Sequence, residues 1–289
     1  VERTLRESEE RYRSISEQLE DASRRKNEFM AVLSHELRNP LASIHNGLSI
    51  LNQAEPCSTQ AERAIAMITR QVDQLSRLVN DLLDITRIEQ NKIRLQRQRL
   101  DLTHLVQQVL EDHRPLFEKN GVGIRSKLPP CPVYLDADPN RLNQVFGNLL
   151  HNAAKFAGQG GAAEVQVETD PASGEVVIRV SDNGVGMAPE MLNRLFRPFE
   201  QADIAVDRAN QGLGLGLALC KGLVELHNGQ IRASSAGLGK GSEFVVSFPI
   251  AIALPQDSIS PSHSVPRHSR KVLVLDDNVD LADSLGELL

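Results

Sequence analysis

Between Met30 and Leu51 the apolar residues fall at Met30, Leu33, Leu37, Leu41, Ile44, Leu48 and Leu51, in steps of three or four. That is the period of an α-helix with one apolar face. The stretch "NQAEPCSTQ", with Pro56 at its centre, breaks the pattern, and a second stripe follows at Ile65, Ile68, Val72, Leu75, Val79 and Leu82. Two long amphipathic helices with a short connection predict an antiparallel hairpin. Two helices alone bury little, so the economical arrangement pairs two hairpins into a dimeric four-helix bundle. Upstream, residues 1–28 are rich in Glu and Arg, and Leu5, Tyr12 and Leu19 recur every seventh position, as do Ser8, Ile15, Ala22 and Phe29. This seam predicts a short parallel coiled coil.

From about Ile93 the texture changes. "IRLQRQRLDL" reads as a strand, Thr103–Asn120 as a helix, and "GVGIRSKL" and "PVYLDAD" as short strands. Asp138 is placed to cap a helix that opens with Pro139 and runs to Phe156. "AEVQVETD" and "GEVVIRVSD" predict paired strands, Leu215–His227 a helix, and "GQIRASSAG" with "SEFVVSFPI" a closing hairpin. The sum is an α+β sandwich, a mixed sheet with helices on one face. "LPQDSISPSHSVPRHSR" is a Pro/Ser-rich linker, and "KVLVLDDNVDLADSLGELL" is a buried-type strand ending in two aspartates before a helix start. The organisation expected is 1–28, 29–93, 94–252, a linker 253–269, and a truncated unit 270–289.

Composition narrows the function. A net charge of −6 argues against a general binder of nucleic acid or anionic membrane. No run of eighteen apolar residues is present, so no membrane contact is expected of this segment, and the charged N-terminus is no signal peptide. Three cysteines without metal or CxxC spacing fit a reduced, cytoplasmic compartment, with any membrane anchor of a longer protein lying upstream.

The chemistry begins at "SHELRNPL", residues 34–41. With successive residues about 100° apart, His35 falls roughly 160° from the centre of the apolar stripe and faces outward. Asn39, four residues on, shares that face, and Glu36 flanks it. Pro40 cannot donate to the carbonyl of Glu36, so a kink is expected one turn below the histidine. In "NQVFGNLLHNAAKFA", Asn148, Asn152 and Lys155 share one helical face, a set suited to a metal–phosphate ligand. "SDNGVGM" places Asp182 where it can accept from a base, with Gly184 and Gly186 allowing close backbone approach. "QGLGLGLAL" opens a helix with Gly212, Gly214 and Gly216, whose N–H groups favour phosphate. Between these motifs, "LFRPFEQADIAVDRAN", with Phe196 and Phe199, lacks periodicity and reads as a lid.

Taken in order, these stretches resemble the bacterial sensor histidine kinases. "FMAVLSHELRNPLASI" is similar to their phosphoacceptor box, and the later motifs to the N, G1, F and G2 boxes of their ATP-binding domain, a fold related to that of type II topoisomerases and heat-shock chaperones. The resemblance implies that His35 accepts a phosphoryl group from ATP, that Glu36 takes the imidazole proton, and that Asn39 positions a water for phosphatase chemistry. It implies that Asn152 ligates Mg²⁺ with Asn148 and Lys155 supporting the phosphates. Asp182 would read the adenine amino group, Gly212, Gly214 and Gly216 would hold the phosphates, and Phe156 and Phe196 would complete the nucleotide-binding set. The tail resembles the start of a receiver domain with Asp276 and Asp277 as its acidic pair, as in hybrid kinases. The implied partners are a second copy of the chain and a receiver domain. The joint near Arg87–Arg94 is the expected hinge. Leu213 departs from the family's Thr/Ser, which removes a hydroxyl from the last box. Two other readings use the same nucleotide fold, an ATP-hydrolysing conformational machine and a nucleotide-binding scaffold. The first of these would need a Glu where Asn148 stands.

Overall fold

The computed structural model describes residues 2–55, 58–170, 174–198 and 214–250. Helix α1 spans Glu2–Gln53 and α2 spans Thr59–Glu89. Ser58 caps α2, its hydroxyl accepting from the Ala61 amide at 3.2 Å. The helical pattern therefore holds, but α1 continues unbroken through residue 28 and through Pro40. One lost backbone bond is small against the hydrogen bonds and packing of a helix this long, and Pro40 is buried in it.

The remainder is an α+β body: β1 (Gln98–Asp101), α3 (Leu102–Asn120), β2 (Gly123–Lys127), β3 (Tyr134–Ala137), α4 (Pro139–Phe156), β4 (Ala162–Asp170), β5 (Glu175–Asp182), α5 (Pro189–Leu192), α6 (Gly216–Leu226), β6 (Gln230–Ser234) and β7 (Ser242–Pro249). The main sheet has the order β2-β4-β5-β7-β6, parallel only between β2 and β4, so it is mixed as expected. β1 and β3 stand apart as a two-stranded antiparallel sheet instead of joining it. The strand expected over Ile93–Leu102 shortens for a visible reason. The Gln96 amide donates to Asp138 Oδ2 at 2.9 Å and the Arg97 guanidinium to the Leu226 carbonyl at 2.7 Å, so these residues bond to helix ends and not to a ladder.

Period-two alternation puts Ala163, Val165 and Val167 of β4, Val176, Ile178 and Val180 of β5, and Phe244, Val246 and Phe248 of β7 on one buried face. α3, α4 and α6 cover it with Val109, Phe117, Leu142, Val145, Leu149, Leu219 and Leu223. Each such side chain contributes about 1.5–3 kcal/mol by leaving water. Asp138 caps α4 through the amides of Asn140 and Arg141, which fixes where the Asn-bearing face of that helix begins. Hairpin and body belong to one compact unit, Val1–Ala251. The linker, the receiver-like tail with Asp276 and Asp277, and Phe199, Gly212 and Leu213 lie outside the described residues.

Candidate active site

Two groups of residues make the site. The first is on α1. The His35 side chain is 68% exposed, as its outward angle requires. Its Nδ1 lies 3.4 Å from Glu36 Oε1 and 3.4 Å from Asn39 Nδ2. Both neighbours approach the same nitrogen, which leaves Nε2 without a partner among the described residues.

The second group is built on α4. Asn148, Asn152 and Lys155 are each half-buried. Asn148 Nδ2 is fully buried, and among the described residues it has no oxygen or nitrogen partner, only the Cys220 thiol beside it, a costly state for an amide. Gly216, which opens α6, sits against it: a Cβ there would lie 3.6 Å from Asn148 Nδ2. Leu215 offers no side-chain cap, so the first amides of α6 are free of one. Gly214 adopts the left-handed conformation at φ +69° just before it. Burial holds the Lys155 ammonium below its ordinary range, and its Nζ stands 5.0 Å from the centre of the Phe156 ring.

Asp182 ends β5. Burial pushes its carboxyl above the ordinary value, against the opposing amides of Gly184 and Ser242. The Gly184 amide donates to Asp182 Oδ1 at 2.9 Å, forming an Asx turn and not a β-hairpin turn. The close approach that Gly184 and Gly186 allow is to the protein's own backbone. A Cβ on Gly184 would lie 2.0 Å from the Phe156 carbonyl oxygen, and one on Gly186 2.1 Å from that of Gly237. The loop is clamped between the end of α4, where the Phe156 carbonyl accepts from Val185, and the β6–β7 loop, where Gly239 donates to the Val185 carbonyl. Phe196 is half-buried against the core, and the Phe156 side chain is 36% exposed.

The arrangement fits a metal–nucleotide ligand. The uncapped amides opening α6 and the buried Asn148 amide meet at one place, with the Lys155 ammonium two turns further along α4, and anionic oxygens would satisfy these donors. Among the described residues no cluster of His, Cys, Asp or Glu could hold a metal alone. A hard cation here would take one amide oxygen from Asn152 and the rest from phosphate and water, as Mg²⁺ does.

Sequence reading missed two features. One is the support from Ser235, whose hydroxyl accepts from Met187, and from the left-handed Gly237, Gly239 and Gly241. The glycine density of "AGLGKG" was the available signal. The other is a buried polar contact between α2 and α4. Asp84 Oδ2 accepts from Arg141 at 2.6 Å and from Gln144 at 3.1 Å, although the three residues are far apart in sequence.

Residues 25–91 match the His Kinase A phospho-acceptor domain, and residues 137–252 match the histidine kinase-, DNA gyrase B- and HSP90-like ATPase domain. The chain belongs to the sensor histidine kinases. It is 33% identical over 285 residues to the autoinducer 2 sensor kinase/phosphatase LuxQ of Vibrio cholerae, 34% over 244 residues to the sensor histidine kinase RcsC of Escherichia coli, and 38% over 237 residues to the histidine protein kinase DivJ of Caulobacter vibrioides. Those alignments cover 95%, 84% and 81% of this chain, but only 33%, 25% and 39% of the relatives' own lengths. Among solved structures it resembles the histidine kinase AdeS of Acinetobacter baumannii (TM-score 0.58, 26% identity, 75% of this chain and 98% of that one). It also resembles full-length ShkA in complex with AMPPNP (TM-score 0.59, 31% identity, 78% of this chain and 46% of that one). No helix among the described residues is long and apolar enough to cross a membrane.

Proposed function

We propose that this chain is the catalytic core of a two-component sensor. It phosphorylates His35 from Mg·ATP and passes the phosphoryl group to an aspartate of a receiver domain. The observation that carries the reading is His35 itself, exposed on a helix that matches the acceptor domain, with a carboxylate at Nδ1 and, among the described residues, no partner at Nε2.

Glu36 holds the Nδ1 proton, which leaves the lone pair on Nε2. Nε2 attacks the γ-phosphorus in line. The N–P bond forms as the bond to the ADP oxygen breaks, and the Nδ1 proton passes to Glu36. Lys155 and the opening amides of α6 hold the phosphate oxygens and offset their charge as the leaving oxygen gains it. When bound, Mg²⁺ supplies further charge neutralisation, held by Asn152. Asp182 accepts from the adenine amino group. Asn39 serves the reverse direction by orienting water. The acceptor helices work as a homodimer, and the receiver is either joined to this chain or separate.

Incubating the protein with γ-labelled ATP and Mg²⁺ produces an acid-labile, base-stable label, and His35→Gln removes it. Equal labelling of that variant would refute the assignment. Asn152→Ala, which removes the proposed metal-ligand oxygen, lowers Mg·ATP-dependent labelling about ten-fold or more, in line with loss of one transition-state contact, and leaves the oligomeric state unchanged.

A further inference from the structure

The buried polar contact between α2 and α4 has no part in the chemistry above. Asp84 is 6% exposed, and Arg141 Nη1 also donates to Gln144 Oε1 at 2.9 Å, so the three side chains close a small network. Asp81, one turn earlier on α2, faces the same place, with Arg77 and Gln144 as its other neighbours. Around the network, Ile85 is buried, and Ile88 presses on α6 so closely that a Cβ on Gly222 would stand 2.8 Å from its Cδ1. Leu78 of α2 and Val32 and Leu33 of α1 pack against the same core. The nucleotide-binding body is therefore seated on one stretch of the hairpin, by a directional contact inside an apolar one.

The height of that seat can be read from helix geometry. Gly47 of α1 meets Ile68 of α2, where an added Cβ would lie 2.7 Å from Ile68 Cγ1. Counting equally in opposite directions from that pair, along two antiparallel helices of equal rise, brings Asp81 level with Ser34 and Arg77 level with Arg38. His35 lies between those levels. α4 runs the opposite way beside this segment. Its first turn, with Arg141 and Gln144, meets Asp84. Two to three turns on, His151 feels the positive charge of Arg77. Asn148 falls between those two points, and Asn152 lies beside the second. The opening of α6, which abuts Asn148, lies in the same interval, because Gly222 further along α6 meets Ile88.

We propose that Asp84, Arg141 and Gln144 form a registration latch. It sets the height of the nucleotide-binding body on the hairpin so that the Asn148–Asn152 face of α4 stands near the level of His35. These are positioning residues: they touch neither substrate nor the reacting nitrogen. The proposal rests on the reading of His35 as phosphoacceptor. A charge network suits the task, because an apolar contact tolerates sliding while a buried ion pair holds one register and is costly to leave half-made. The same height serves His35 of either protomer in a parallel dimer.

The test uses the whole chain. Asp84→Asn keeps shape and removes charge, and Arg141→Met keeps the stem and removes the guanidinium. Three quantities are read for each: the His35 labelling rate at saturating ATP, the Kd of a fluorescent ATP analogue, and the oligomeric state. The expected result is a labelling rate about ten- to a hundred-fold lower, the scale of a small misplacement of reacting groups, with Kd and oligomeric state unchanged. The double variant is no slower than the slower single, because both changes remove one contact. Gly222→Ala, which displaces Ile88 from the same seat without touching a charge, lowers the rate in the same way. Should Arg141→Met fail to bind nucleotide through misfolding, Asp84→Asn carries the test, since Asp84 lies on the hairpin and outside the nucleotide fold. A rate equal to or above the parent's in Asp84→Asn, or additive losses in the double variant, overturns the latch while His35 labelling stands. Absence of label in the parent overturns the His35 reading, and the latch with it.

Discussion

His35 Nδ1 has two neighbours that ask for opposite tautomers. A carboxylate at Glu36 accepts a proton carried on Nδ1, whereas the Asn39 amide donates only to a bare Nδ1. The proposed phosphoryl transfer needs the first arrangement, because the nucleophile is then Nε2. Glu36→Gln therefore lowers the labelling rate by about 10²–10⁴-fold, the range for losing a positioned base, and ATP affinity holds; rapid-quench labelling against nucleotide titration checks it. Asn39→Ala removes the competing donor, so labelling is preserved while decay of phosphorylated receiver slows. Equal loss of both reactions would show that Asn39 merely supports the helix. At Gly184 the argument is steric. A methyl group would lie 2.0 Å from the Phe156 carbonyl oxygen, and both partners are backbone, so neither can step aside cheaply. Gly184→Ala costs about 2–4 kcal/mol, in the range of overpacked or strained sites, read from urea unfolding, with nucleotide binding lost in parallel.

At the scale of elements, the end of α6 is tied to the start of α4 through His227. Its Nε2 accepts the Asp138 amide at 3.0 Å and its Nδ1–H donates to the Leu223 carbonyl at 2.8 Å. The bond from Asp138 requires a bare Nε2 and so the neutral ring, whereas the bond to Leu223 survives protonation. Burial lowers its pKa from the ordinary 6.5 and Arg97 adds to this, against the Leu223 carbonyl and the carboxylates of Asp138 and Asp136. A lowered histidine pKa means that the unfolded chain takes up the proton first. The stabilisation is then complete above about 6.5 and lost as pH falls from there through the folded value. Urea midpoints of the parent should fall between pH 7 and pH 5, and those of His227→Gln should fall less steeply from a start about 1–2 kcal/mol lower. A midpoint that is flat in the parent would contradict the account. The bounds of α4 were legible in the sequence because local rules set them: an Asp cap, Pro at the first position, and a stripe of period 3.6 ending at Phe156. The tie to His227 was not, since nothing near residue 227 marks a partner at residue 138. For the same reason nothing in the sequence singles out Asp84 or Arg141, and β1 read too long. Local pattern reports what a segment can form, and the partners that trim or tie it lie elsewhere in the chain.

At the scale of the molecule, the hairpin leaves part of its apolar stripe uncovered. Leu33, Leu37, Ile44, Ile68, Leu75 and Leu82 are partly buried within the unit, but Met30, Leu41 and Leu48 on α1 and Ile65, Val72 and Val79 on α2 stay 41–52% exposed. Three of these, Ile65, Val72 and Val79, follow one another every seventh residue, the spacing of a helix–helix seam. Half-exposed side chains of this size each stand to gain about 1 kcal/mol from further burial. Six per protomer, doubled by symmetry, make a contact large enough to hold two hairpins as a four-helix bundle. Placing a charge on the seam leaves the nucleotide fold untouched, because none of these positions lies on the Ile85–Ile88 side that meets α6. Val72→Asp combined with Leu48→Asp should yield a monomer by sedimentation equilibrium that still binds a fluorescent ATP analogue with the parent's affinity. Its labelling separates two arrangements. If each subunit phosphorylates its own His35, the monomer keeps label. If the reaction crosses the seam, the label disappears from the monomer, and a mixture of two dimer-competent chains, one carrying His35→Gln and the other Asn152→Ala, is labelled although neither is labelled alone. A double variant that remains dimeric would place the dimer contact on the heptads of residues 1–28, and the exposed stripe would then need another partner.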